Sequence, residues 1–87
     1  MKTYYFFYNS LPNTFFFVEG KNPYDTQSRI EFPGNNYDEV VEFVSSKVDP
    51  KRKSLMVVGK SVPEEIKGRL EETLFKSKIK FEVKEDL

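Results

Sequence analysis

The residues best suited to chemistry in this sequence are Gly59, Lys60 and Ser61, which follow an apolar run and precede a stretch with helical spacing. A strand that turns through glycine into a helix presents free backbone N–H groups, to which Lys60 would add a charge and Ser61 a hydroxyl. Such groups bind phosphate, and ligands of open α/β folds lie at the carboxyl ends of the strands. The Walker A pattern also requires a glycine at the position that Ser54 occupies, so this segment is not a P-loop.

This turn has two interpretations. In the first, it binds a nucleotide or another phosphate, including a cyclic or single-stranded nucleic acid, with Ser10 or Arg52 nearby. Phosphodiester chemistry would be the stronger form of that hypothesis, with a lysine, a tyrosine or a carboxylate as the base. In the second, Ser61 caps the following helix, Glu64 completes a capping box, and Lys60 is solvated.

Elsewhere, the side chains offer no catalytic or metal-binding pattern. The chain contains no cysteine and no histidine, which removes thiolate chemistry, the commonest metal ligands and the usual general base near neutral pH. The adjacent glutamates at 64–65 and 71–72 diverge around a helix, whereas Asp38 and Glu42 share a helical face without a third ligand. We therefore favour a non-catalytic protein and expect neither a cofactor nor a metal.

A basic cluster of Lys51, Arg52 and Lys53 stands directly before the apolar run. It could neutralise roughly two or three phosphates, or it could be a charged loop that contributes only solubility. The whole chain has 14 Lys and Arg against 14 Asp and Glu. A dedicated duplex-DNA binder usually carries a basic excess, so this balance does not favour one.

The length and composition predict one small domain over residues 1–87. The longest apolar and aromatic run near the start is Tyr4 to Tyr8, five residues, which is too short for a signal sequence or a membrane span. We therefore expect a cytoplasmic protein that does not bind membranes. The charged residues are mainly Lys and Glu, with a single Gln, a composition typical of thermophilic proteins.

The first elements are predicted from strand-favouring residues and turn signals. Aromatic strands at 3–9 and 14–19, joined by a turn at 10–13 that contains Pro and Asn, indicate an antiparallel hairpin. A short alternating segment at 29–32 suggests a third strand. A helix follows, for which Asn36 is the expected cap.

The remaining elements resemble a βαβ unit in their spacing. The apolar run at 55–58 predicts a strand covered on both faces. The next helix should reach about Ser77, with Ile66, Leu70, Thr73 and Leu74 facing inward, and an alternating strand at 79–83 should follow. The predicted fold is therefore α/β (α+β), a small mixed sheet of four to five strands in the order β-β-(β)-α-β-α-β.

The aromatic hairpin is expected to display rings on both of its faces, because side chains alternate along a strand. Two helices can cover one face of a small sheet, so the second face needs another cover. A second copy of the chain, flat-ringed bases of a nucleotide or nucleic acid, and a helix on each face are three alternatives. We favour a self-associating binding module, a dimer, whose interface residues would be Tyr4, Tyr5, Phe6, Phe7, Tyr8, Phe15, Phe16 and Phe17.

Overall fold

The chain forms five strands and two helices. The computed structural model describes all 87 residues and gives the element order β-β-β-α-β-α-β. The predicted α/β fold with a mixed sheet is confirmed, and the third strand is present. In chain order the elements are β1 (Lys2–Asn9), β2 (Thr14–Glu19), β3 (Arg29–Pro33), α1 (Tyr37–Lys47), β4 (Ser54–Gly59), α2 (Glu64–Thr73) and β5 (Ile79–Lys84).

The sheet has the strand order β3-β2-β1-β4-β5, which places β1 at its centre. Strands β1, β2 and β3 form an antiparallel meander, whereas β1, β4 and β5 run parallel to one another. The three parallel strands therefore begin along one edge of the sheet, the lower edge, and end along the opposite edge, the upper edge.

The turn between β1 and β2 owes its shape to Asn13, whose φ of 48° lies in the left-handed region that asparagine tolerates. The Asn13 side chain accepts a hydrogen bond from the Tyr8 hydroxyl at 2.6 Å. Its backbone carbonyl accepts one from the N–H of Gly34 at 2.8 Å. These contacts tie the turn to β1 and to the end of β3, and the hairpin register sets Tyr8 opposite Phe15.

Both helices pack on the same face of the sheet. Ile66 and Leu70 of α2 lie in one buried cluster with valines of α1 and with side chains of β1, β2 and β4. Arg69 of α2 also pairs with Asp38 of α1 at 2.6 Å. This arrangement follows from right-handed crossovers, because the connections through α1 and through α2 advance across the sheet in the same direction. The predicted inward orientation of Ile66 and Leu70 is confirmed.

Helix α1 begins as predicted, because the Asn36 side chain accepts a hydrogen bond from the N–H of Glu39 at 3.2 Å. Helix α2 does not. It begins at Glu64 without a side-chain cap, and Ser61 instead donates its hydroxyl to the Tyr8 carbonyl at 2.6 Å. The capping-box prediction was wrong because it considered only neighbours in sequence, whereas the β1 strand supplies an acceptor from the side. The helix also ends at Thr73, which is exposed and does not face inward.

Candidate functional site

The rings of the aromatic hairpin divide between the two faces of the sheet. Tyr4, Phe6, Phe15 and Phe17 point toward the helices, and each is at most 3% exposed. They form stacked cross-strand pairs, Tyr4 with Phe17 at 5.7 Å and Phe6 with Phe15 at 5.6 Å between ring centroids. Tyr8, on the same side, is half-buried. These five predicted interface residues are therefore mainly core of the single chain, which leaves the other three as candidates for a contact surface.

The remaining three interface residues lie on the face without helices, which we call the open face. Phe7 stacks on Phe16 at 5.2 Å between centroids, and the guanidinium of Arg29 lies 4.9 Å from the centre of the Phe16 ring. Phe16 is buried, whereas Tyr5 and Phe7 are half-buried. No helix reaches these rings, so the sequence argument that two helices cannot cover both faces is correct for this fold.

The segment 20–28, between β2 and β3, partly covers the open face. The Tyr5 hydroxyl donates a hydrogen bond to the Lys21 carbonyl at 3.4 Å, and the Tyr24 ring meets Phe7 edge-on at 6.4 Å. The Tyr24 hydroxyl also donates to the carbonyl of Asp86 at 3.3 Å. Tyr24 nevertheless remains 61% exposed, so it is the outermost ring of the open face.

Sequence analysis did not select Tyr24, because most of its neighbours in the segment 20–28 are polar. The signal that could have identified it is a single large ring among polar residues directly after an aromatic strand. Such a ring is expected to fold back onto neighbouring apolar surface. Its contact with Phe7 is of this kind.

The residues of the predicted phosphate turn each have a structural partner at the upper edge. A Cβ atom on Gly59 would lie 2.8 Å from that of Phe7 and 2.9 Å from the Leu87 carbonyl oxygen, so close packing explains the glycine. The Lys60 side chain is exposed, and its Nζ lies 3.4 Å from a carboxylate oxygen of Glu85. Ser61 holds the turn against β1 through its hydrogen bond to the carbonyl oxygen of that strand.

Ser10 and Ser61 line one cleft of about 560 Å³, together with Phe7, Tyr24 and Leu87. The cleft lies beside the ends of the neighbouring parallel strands β1 and β4. The connections that follow these strands leave in different directions, from β1 to β2 and from β4 to α2. Open α/β folds bind ligands at such a position. Of the predicted ligand residues, the structure thus brings Ser10 to the turn.

Arg52 lies elsewhere, because it precedes β4 and so sits at the lower edge of the sheet. Gly59 is the last residue of β4, so the length of that strand separates the two residues, a distance of roughly 20 Å at the rise of a strand. Lys2 is its neighbour there. The Glu19 carboxylate accepts a hydrogen bond from Lys2 at 2.9 Å and raises the pKa of that lysine above its ordinary value of 10.5, while the charge of Arg52 acts in the opposite direction.

Two further observations concern the whole chain. No three carboxylates lie where they could hold a metal ion together, and neither helix is long and apolar enough to cross a membrane. Comparisons with protein-family models, with curated proteins and with solved structures find no match to this chain. Its function is therefore inferred from the geometry of its own residues.

Proposed function

We propose that this chain is a small, non-catalytic binding module that associates with a second copy of itself through the open face. The observation that carries the proposal is the one-sided packing of the helices. It leaves the rings of Tyr5, Phe7 and Tyr24 on a face covered only by one irregular segment and the last residues of the chain. Tyrosine is favoured in interfaces, because its ring is apolar and its hydroxyl tolerates water.

The charges at the two sides of the open face support pairing with a second copy. Arg29 and Glu31 lie on β3, whereas Glu82 and Lys84 lie on β5. The strand register places Glu82 level with Arg29 and Lys84 level with Glu31 across the sheet. A two-fold axis parallel to the strands would set Arg29 against Glu82 of the partner subunit and Glu31 against Lys84 of the partner subunit. Opposite charges then meet at both sides, which favours this register over alternatives that juxtapose like charges.

Sedimentation of the purified chain tests the proposal. We expect a dimer at micromolar concentration in place of the 10.3 kDa monomer. Tyr24→Glu should dissociate it without unfolding, because this side chain is largely exposed in one chain. Leu11→Glu is the matched control, since Leu11 is 94% exposed at the β1–β2 turn, away from the open face. A wild-type monomer at about 100 µM would refute the proposal, because a dimer at micromolar concentration requires a Kd well below that concentration, and so would equal effects of the two variants.

A second candidate function is the binding of a nucleotide in the cleft at the upper edge. The convergence of Ser10 and the Ser61 turn beside the rings of Phe7 and Tyr24 favours it, since the Ser10 hydroxyl can donate to a phosphate while a ring packs on the base. Titration with AMP, a cyclic oligonucleotide or a short single-stranded RNA should then shift the amide resonances of the 60–62 segment first. Unmoved amides at millimolar ligand would exclude this function.

A further inference from the structure

The chain has no net charge, yet its charges are unevenly distributed. The parallel strands β1, β4 and β5 begin side by side at the lower edge, and each begins at or just after a lysine. These lysines are Lys2, Lys53 and Lys78. Their backbones are neighbours, because the N–H of Lys2 donates to the Lys53 carbonyl at 3.3 Å and the N–H of Ser54 donates to the Lys78 carbonyl at 3.1 Å. Cations far apart in sequence are thus brought to one edge by the topology.

Five cations of the two connections at this edge are exposed, and none has a carboxylate oxygen within 4.0 Å. We call this group the basic pole. Lys2, next to it, is different because Glu19 pairs with it at 2.9 Å. Asp49 lies in the same connection, where its carboxylate accepts the backbone N–H of residue 51 at 3.0 Å. The basic pole consists of Lys51, Arg52, Lys53, Lys76 and Lys78.

An exposed ring accompanies these cations. Phe75 follows α2, is 83% exposed and stands next to Lys76 in the connection that leads into β5. Its neighbour Leu74 is buried, so the backbone at this point is anchored to the core while the ring faces solvent. An exposed ring in the same connection as unpaired cations is suited to single-stranded nucleic acid, because the cations contact phosphates and the ring stacks on a base.

We propose that the basic pole binds single-stranded nucleic acid through its phosphate backbone, with Phe75 stacked on a base. This site is separate from the open face and does not depend on self-association. A lipid surface fits less well, because anchoring to one requires an amphipathic helix or a lipid chain. The buried side chains of α1 and α2 instead belong to the core, and Phe75 and Met1 are the large apolar side chains exposed near this edge.

The test measures the fluorescence anisotropy of a labelled single-stranded oligonucleotide of about 15 bases, within the site size of small binding domains, over a range of salt concentrations. Contacts with about five phosphates should give a slope of roughly −3 to −4 in log K against log salt. The double variant Lys53→Gln and Lys78→Gln should lower the magnitude of that slope by about 1.4. The matched control, Lys67→Gln with Arg69→Gln on α2, removes two cations that already pair with carboxylates and should leave it unchanged. Phe75→Ala should weaken binding roughly 10- to 100-fold and keep the slope.

Several results would overturn the proposal. One is the absence of binding at low salt, and another is an equal loss for the two double variants. Binding to vesicles of anionic phospholipid without binding to the oligonucleotide would assign the basic pole to a membrane surface. Salt-sensitive self-association that the Lys53 and Lys78 variant abolishes, again without oligonucleotide binding, would assign it to an acidic region of a second copy.

Discussion

The substitution Leu70→Ala tests how α2 is held on the sheet. Leu70 is 0% exposed, and it and Ile66 are the buried residues within α2. Its side chain lies in the cluster that also contains Val44 of α1 and Met56 of β4, so it connects both helices to the sheet. Truncation leaves the helix free to form, since alanine has the highest helix propensity, but shortens one of its two buried side chains.

The expected loss follows from the atoms removed. Leucine exceeds alanine by three carbon groups, worth about 0.8 kcal/mol each when buried, or about 2.4 kcal/mol in total. Incomplete collapse around the site adds a cavity cost, which brings the expected loss to about 3–4 kcal/mol. A domain of this length is stabilised by roughly 4–13 kcal/mol. The variant should therefore lose a large part of its stability, and a domain at the low end of that range would retain only about 0–1 kcal/mol.

Urea denaturation followed by far-ultraviolet circular dichroism measures this loss at a fixed protein concentration. The midpoint should fall while the slope of unfolding free energy against urea stays the same, because the surface exposed on unfolding barely changes. Leu70→Met, which conserves volume, should cost less than about 1.5 kcal/mol. Phe75→Ala is the control for an exposed apolar side chain and should stay within about 0.5 kcal/mol. A loss below about 0.5 kcal/mol for Leu70→Ala would refute the assigned orientation of α2.

Three further predictions concern glycines, a helix cap and an ion pair. Gly59→Ala should cost about 1–3 kcal/mol in urea denaturation because its Cβ would overlap neighbouring atoms, whereas Gly68→Ala, which meets nothing within 4 Å, should stabilise the protein by about 0.5–1 kcal/mol; the reverse order would contradict the packing. Asn36→Ala should cost about 1 kcal/mol in the same assay, and no change would exclude the cap. Because the folded pKa of Lys2 is raised, its contribution to stability should be complete below pH 10.5 and lost as pH rises through the folded value. Glu19→Gln should abolish this alkaline dependence, and an unaltered pH profile would show that the pair contributes nothing.

The local elements of this fold were predictable from sequence, because their signals lie within a few residues. The second strand, at Thr14–Glu19, has the predicted bounds, and Asn36 caps α1. Period-two alternation also assigned the hairpin rings correctly to opposite faces, with Phe15 and Phe17 on one side and Phe16 on the other. The opposite positions of Arg52 and Gly59 could likewise have been foreseen, since an intervening strand must separate its two ends.

Contacts between distant segments were not predictable in this way. The spacing of Ser61 and Glu64 matches a capping box, but the Tyr8 carbonyl on β1 accepts the Ser61 hydroxyl. Tyr24 stands among polar residues in the sequence, but in the structure its ring contacts Phe7. In both cases the partner comes from a strand elsewhere in the sequence, and a local pattern carries no information about which strand that is.

Sequence alone determined that the charges of this chain sum to zero and that Lys51, Arg52 and Lys53 form a short basic run. Only the tertiary structure decided that Lys76 and Lys78 join them at one edge. The physical reason is the direction of the strands: parallel neighbours begin at the same edge of a sheet, so the residues before β4 and β5 converge there. In the same way, the placement of both helical connections on one face of the sheet decided which aromatic rings became core and which stayed on the open face.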